Sequence, residues 1–129
     1  MSHGMSITLD LPYADAVNRV RAALKEQGSG VLTEIDVTAT MAAKLGEQIE
    51  DYIILGACNP PFAYRALGID RSIGLLLPGN VVVCATEAGT VVEALDPQIM
   101  VTLTGRPELK IVADEVARRL ADALTSVAA

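Results

Sequence analysis

The chain has 129 residues, of which 51% are hydrophobic and 20% charged, and this apolar content is enough for one compact domain. Its formal net charge of −6 argues against binding to a phosphate backbone, and the 3% aromatic content without tryptophan argues against base stacking. No stretch reaches the ~18 apolar residues of a membrane span, and the N-terminus lacks the pattern of a secretion signal. We therefore expect a cytoplasmic protein that binds neither nucleic acid nor membrane.

The single histidine, His3, lies in the segment Met1 to Met5, which is typical of a start extension, so the predicted domain covers residues 6–129. Without an imidazole inside the domain, a Ser-His-Asp triad, a Cys-His dyad and a multi-histidine zinc site are unsupported, and no metal site is predicted. Cys58 and Cys84 are too few for a disulfide framework. They fit a reducing compartment.

The first half of the chain predicts two strands, a long helix and a short helix. Ser6 to Leu11 alternates between apolar and polar residues, as does Val31 to Val37, and both patterns indicate strands. Between them, the apolar residues from Tyr13 to Leu24 follow helical spacing, and Gly28 ends this helix. Thr38 is placed to cap the short helix that Gly46 closes.

The second half begins with the apolar run Tyr52 to Ala57, which predicts a strand that is buried on both faces or lies at a dimer seam. Asn59 is then expected to cap a short helix over Phe62 to Leu67. An apolar patch follows at Ile73 to Leu77, and Val81 to Ala85 forms a predicted hairpin with Thr90 to Leu95. Asp96-Pro97 indicates a turn, and Pro107 opens a terminal helix.

This order of elements predicts an α+β fold. We expect a two-layer sandwich of the β-α-β(4)-α type, in which a mainly antiparallel sheet carries both long helices on one face and short helical inserts connect the strands. No linker, repeat or low-complexity tract divides the chain.

Three stretches of the sequence resemble the domain of unknown function 302 family of bacteria and archaea. They are Gly30 to Val37, Ile54 to Pro60, and Gly74 to Pro78 running into Asn80 to Val83. The resemblance extends from the first helix to the terminal helix. It implies a small β-α-β(4)-α fold and a tendency to form homodimers, and it carries no established activity.

The resemblance also draws attention to two differences. Many relatives have a histidine at the position of Tyr64 and a second cysteine at the position of Gly79, and this chain has neither. A Cys-His-Cys cluster in such relatives is reduced here to Cys58. A metal or dithiol function of relatives does not transfer to this chain on that basis.

Four candidate ligand-binding residues lie at the junction between the predicted buried strand and the short helix. Cys58 stands where backbone N–H groups and the helix dipole would stabilise a thiolate or attract an anion, which makes it the candidate nucleophile; alternatively it is a small buried side chain. Asn59 is a helix cap or a ligand contact. Tyr64 and Arg65 are packing and surface residues, or a phenol and a guanidinium that bind a carboxylate or phosphate.

Two further candidates, Glu34 and Asp36, share one face of the second predicted strand, so their carboxyl groups stand roughly 6–7 Å apart at a rise of about 3.3 Å per residue. This separation suits paired acid and base roles or a hard cation, and it equally suits a solvated surface. Gly28-Ser29-Gly30 is not a phosphate loop, because it follows a helix and precedes a strand.

These residues support three hypotheses for the function, with the identity of any cofactor unknown. The first is a homodimeric module that binds a small molecule or anion in a pocket. This pocket would be lined by Cys58, Asn59, Tyr64 and the carboxylate strand, which is the predicted strand that carries Glu34 and Asp36. The second is a thiol-dependent enzyme or redox protein that acts through Cys58. The third is a structural subunit in which apolar runs such as Ile53 to Leu55 serve a partner interface.

Overall fold

The computed structural model describes residues 4–128 and shows the predicted α+β class. In chain order the elements are β1 (Gly4–Leu9), α1 (Tyr13–Glu26), β2 (Gly30–Asp36), α2 (Val37–Leu45), β3 (Tyr52–Cys58), α3 (Pro60–Ile69), a 3₁₀ helix (Arg71–Leu76), β4 (Gly79–Thr86), β5 (Gly89–Leu95), α4 (Ile99–Thr104), a second 3₁₀ helix (Pro107–Leu109) and α5 (Lys110–Ala128).

The strands form one five-stranded sheet in the order β1-β5-β4-β3-β2, and every neighbouring pair is antiparallel. Helices α1 and α5 pack against one face of this sheet and against each other. The core between these two layers is built from small and branched apolar side chains, among them Ala16, Val20, Leu55, Val83, Val92, Ala94 and Leu124.

A second, smaller apolar core lies beyond the end of the sheet. It joins α3, both 3₁₀ helices, α4 and α5 through Ala66, Ile73, Met100, Leu109, Val112 and Ala113. The N-terminal half of α5 contributes to this smaller core, and its C-terminal half contributes to the main core through Ala123, Leu124 and Val127. Helix α5 therefore connects the two cores.

Some predicted boundaries differ from the structure. Strand β1 begins at Gly4, because Gly4 pairs with Leu95 and Met5 pairs with Ala94 and packs on the main core. Gly4 and Met5, which the sequence assigned to the start extension, thus belong to the sheet, and the rest of that extension lies outside the described residues. Helix α4 was missed, because Asp96-Pro97 was interpreted only as a turn; the Asp96 carboxylate accepts from the Gln98 backbone N–H at the start of this helix.

The predicted cap of α2 is wrong, since Asp36 and not Thr38 occupies the position before the helix. The Asp36 carboxylate accepts a hydrogen bond of 2.9 Å from the backbone N–H of Ala39. The Thr38 hydroxyl instead donates to the Glu50 carbonyl and accepts from the Tyr52 N–H, with lengths of 2.7 and 2.8 Å. Thr38 thereby ties the start of α2 to the start of β3.

The inner position of β3 in the sheet buries two of the three residues in the run Ile53 to Leu55, which was expected to serve a partner interface. Ile53 and Leu55 are 8% and 0% exposed and belong to the main core. Ile54 points to the opposite face of the sheet, where it lies in register with Ile35 of β2 and Val82 of β4. Ile35 is 51% exposed, so this face keeps apolar surface open to solvent.

Gly56 of β3 marks a close approach across the same face, and it generates a prediction about stability. A Cβ atom at this position would overlap Thr33 Oγ1 and lie 2.7 Å from Pro78 Cγ. We expect Gly56→Ala to lower the free energy of unfolding by about 1–3 kcal/mol, because strand and proline must shift to make room. Urea denaturation followed by circular dichroism measures this change.

Gly68→Ala is the matched control, because a Cβ atom at Gly68 in α3 meets no atom within 4 Å. Alanine is favoured over glycine in a helix, so this variant should gain up to about 1 kcal/mol. Equal effects of the two substitutions would contradict the steric explanation for Gly56.

Candidate functional site

A cavity of about 80 Å³ lies at the end of the sheet, between the two apolar cores. Strands β3, β4 and β5 reach this end, because Ala57 of β3 pairs with Gly79 of β4 and Val81 of β4 pairs with Ala94 of β5. Helices α3, α4 and α5 close the cavity with apolar side chains, namely Phe62, Ala63, Ala66, Ile99, Met100, Val112, Val116 and Leu120. Its volume is enough for several water molecules or a small organic molecule.

The polar side chains that line the cavity are Ser29, Cys58, Asn59 and Asn80. Ser29 follows Gly28, whose positive φ of 80° lets the chain leave α1 and turn into β2. The Ser29 backbone N–H donates to the Leu24 carbonyl at 2.8 Å, and the residue is buried, with 6% exposed. Cys58 is the last residue of β3 and is half-buried, so its thiol is accessible from the cavity.

Burial raises the pKa of the Cys58 thiol above its ordinary value, with desolvation as the cause. This direction is opposite to the thiolate stabilisation expected from the start of α3. The sequence of that helix explains the difference, because Pro60 and Pro61 occupy its first two positions and have no N–H to offer. The Ala63 N–H is used by the Asn59 carbonyl at 2.9 Å.

Asn59 precedes α3, but its side chain makes no capping hydrogen bond, so the predicted cap is wrong. The Asn59 amide donates instead to the Gln27 carbonyl at the end of α1, at 3.3 Å. Arg119 of α5 donates to the same carbonyl at 3.0 Å and lies over the Phe62 ring, 5.2 Å from its centre. The Gln27 carbonyl thus joins three helices beside the cavity.

The other predicted ligand-binding residues lie away from this cavity. Tyr64 is 81% exposed, and Arg65 borders a separate surface depression with Asp114 and Glu115. Glu34 forms an ion pair with Arg21 of α1.

Glu34 and Asp36 border a third depression, shared by β2 and α2, together with Lys44. Asp36 is engaged there as the cap of α2. The sequence predicts one pocket that contains Cys58, Asn59, Tyr64 and the carboxylate strand. In the structure, Cys58 and Asn59 line the cavity, whereas Tyr64, Glu34 and Asp36 lie outside it.

Sequence reasoning missed Ser29, Asn80 and Arg119. Ser29 is a polar residue between two glycines, and the Gly28-Ser29-Gly30 pattern was considered only as a phosphate loop, so its burial was not predicted. Arg119 carried no signal either, since it stands on the long terminal helix among other charged residues. Within residues 4–128, no three histidine, cysteine, aspartate or glutamate side chains group so as to hold a metal ion.

The architecture defines a small α+β protein with a cavity at the end of an antiparallel sheet, and comparisons with known proteins place it in a family. The model of the domain of unknown function DUF302 matches residues 5–127, so the chain belongs to the DUF302 family. The likeness expected from the sequence is thus confirmed. No curated protein matches this chain.

A solved structure of similar fold is described as the crystal structure of an uncharacterized conserved protein DUF302 from Bacillus stearothermophilus. It has 27% sequence identity to this chain and a TM-score of 0.90, and the match covers 98% of each chain. Of the family positions noted in the sequence, Cys58 and Gly79 line the cavity and Tyr64 does not. Separately, none of the helices in the described part of the chain is both long and apolar enough to cross a bilayer.

The raised pKa of Cys58 generates a prediction about its reactivity. In a Cys84→Ser variant, alkylation of Cys58 by iodoacetamide should show a midpoint above the ~8.5 of a free thiol, because the buried thiolate forms only at higher pH. The rate at pH 7 should fall below that of N-acetylcysteine. Mass spectrometry of the alkylated protein across pH 6–10 measures both quantities.

The Cys58→Ser variant is the matched control and reports Cys84, whose pKa is also raised, by burial and by nearby Glu50 and Glu93. A Cys58 midpoint below that of N-acetylcysteine would contradict the effect of burial and restore an activated thiol.

Proposed function

We propose that this protein is a homodimeric module that binds a small molecule in the cavity at the end of the sheet. The observation that carries the proposal is the cavity itself, a space of about 80 Å³ that separates two otherwise packed apolar cores. Protein interiors are close-packed, and unfilled apolar space lowers stability. A mostly apolar cavity with a few polar groups in its lining is the usual form of a ligand site.

The alternative of a thiol-dependent enzyme through Cys58 has less support. Cys58 lines the cavity, so a bound molecule would contact its sulfur. However, burial raises the pKa of the thiol, and the two prolines at the start of α3 remove donors that would stabilise a thiolate.

Both cysteines are free, which supports the proposed reducing, cytoplasmic location.

The binding proposal is tested with a library of small fragments by protein-observed NMR. We expect some fragments to shift the signals of Ala66, Val116 and other cavity residues. Ala63→Leu should abolish these shifts, because the added side chain points from α3 into the cavity and fills it. The fold should tolerate this substitution, since the extra volume enters empty space.

Ala22→Leu on the exposed side of α1 is the matched control and should leave binding unchanged. The proposal fails if no fragment shifts the cavity residues, or if Ala63→Leu binds the same fragments as the unsubstituted protein.

A second copy of the chain is the partner that we propose for the open face of the sheet. Ile35, Ile54 and Val82 lie side by side on this face, across three neighbouring strands. The row of apolar side chains offers hydrophobic contact between two copies, although each copy has a net charge of −6 and Glu93 borders the row opposite Val82. The β2 edge beside it exposes Leu32 to 66%, which extends the apolar surface.

Val82→Lys tests this dimer. The lysine would stand opposite Glu93 in β5, so an opposite-charge pair keeps the substitution compatible with the folded monomer. Sedimentation velocity should give twice the 13.5 kDa chain mass for the unsubstituted protein and the single mass for the variant. Ile111→Lys is the control, because Ile111 is 69% exposed on α5, away from this face. An unsubstituted monomer, or a Val82→Lys dimer, would refute the proposed interface.

A further inference from the structure

Ser29 is a buried polar residue without a side-chain partner among residues 4–128. Its backbone N–H bonds to the Leu24 carbonyl, whereas its hydroxyl makes no hydrogen bond to the described part of the chain. Every fully buried side-chain oxygen or nitrogen within that part has a partner, so the unpartnered Ser29 hydroxyl keeps some accessible surface, and Ser29 lines the cavity. The protein leaves this hydroxyl without a hydrogen-bond partner, and a ligand in the cavity with one hydrogen-bonding group would pair with it.

Among residues 4–128, no charged side chain lines the cavity. Every residue that lines it is apolar, a glycine, or one of the four neutral side chains Ser29, Cys58, Asn59 and Asn80. The nearby guanidinium of Arg119 is already engaged, because it bonds to Glu115 and to the Gln27 carbonyl. An ion that entered the cavity would lose its hydration without gaining a counter-charge.

The start of α3 offers little compensation to an anion. Helix N-termini bind anions through their free N–H groups, but here the first two positions are Pro60 and Pro61. The first residue of the helix with an N–H group is Phe62. The N–H of the following residue, Ala63, already donates to the Asn59 carbonyl. A single donor is therefore left where an anion site normally has several.

From these observations we infer that the cavity selects an uncharged, mostly apolar molecule whose one hydrogen-bonding group meets the Ser29 hydroxyl. The inference rests on the proposed binding function and specifies its ligand class. A hydroxyl both donates and accepts, so alcohols, amides and ketones belong to this class, and carboxylates and amines do not. The volume of about 80 Å³ is roughly half that of an engineered cavity that holds benzene, so only a few heavy atoms are enclosed.

The test compares four probes that share a four-carbon chain: 1-butanol, butyrate, butylammonium and 1-chlorobutane. Dissociation constants come from NMR shifts of cavity residues at pH 7. We expect 1-butanol to bind at least about tenfold more tightly than either ion, because the cavity has no compensating charge. Ser29→Ala should weaken 1-butanol by about fivefold, the effect of losing one net hydrogen bond, and leave 1-chlorobutane unchanged.

Ser126→Ala is the matched control, because Ser126 is exposed on α5, and it should change no affinity. Should Ser29→Ala not fold, Ser29→Cys gives the same comparison with a side chain of similar size and weaker hydrogen bonding. Equal loss of 1-butanol and 1-chlorobutane in either variant overturns the role of Ser29.

The outcomes separate this inference from the proposal on which it rests. Binding of butyrate or butylammonium as tight as that of 1-butanol overturns the ligand class and leaves the binding function standing. Absence of cavity shifts with all four probes overturns the ligand class together with the binding function.

Discussion

The shared use of helix α5 by two apolar cores is the constraint on which the site depends. One end of the helix packs Val112 and Ala113 into the smaller core, and the other end packs Leu124 and Val127 onto the sheet. Because the helix is continuous over Lys110–Ala128, its middle must cross the space between the cores. Val116 and Leu120 stand at this crossing and line the cavity. The cavity is therefore a consequence of joining two packing units with one rigid element.

Polar contacts at the Gln27 carbonyl fix α1, α3 and α5 beside this crossing. This carbonyl lies at the end of α1, where helix carbonyls lack intrahelical donors. Asn59 and Arg119 supply two donors from α3 and α5, and Arg119 also covers the Phe62 ring. Hydrogen bonds of this kind satisfy a helix terminus and at the same time set the distance between helices. The helices around the cavity are thus held by directional contacts as well as by apolar packing.

Most of the fold could be predicted from the sequence, because strands and long helices leave periodic patterns. The alternation in β1 and the helical spacing in α1 gave their positions correctly to within two residues. Short elements without such periodicity were less predictable. Helix α4 has six residues and follows a proline, so local signals favoured a turn. The cap of α2 was displaced by two residues, since both Asp36 and Thr38 are suitable cap types and only the backbone decides between them.

The site was less predictable, because it depends on contacts between residues far apart in the chain. Cys58 was found through its place at a strand end, yet the direction of its pKa shift depends on helices packed around it. Ser29 is separated from Cys58 by nearly thirty residues, and the pairing of Gly30 with Cys58 across β2 and β3 brings both residues to the same cavity. No local pattern encodes that register. The same pairing determines the chemistry, because it places a neutral hydroxyl and a thiol of raised pKa along a mostly apolar space, an arrangement that favours recognition of uncharged groups over ionic catalysis.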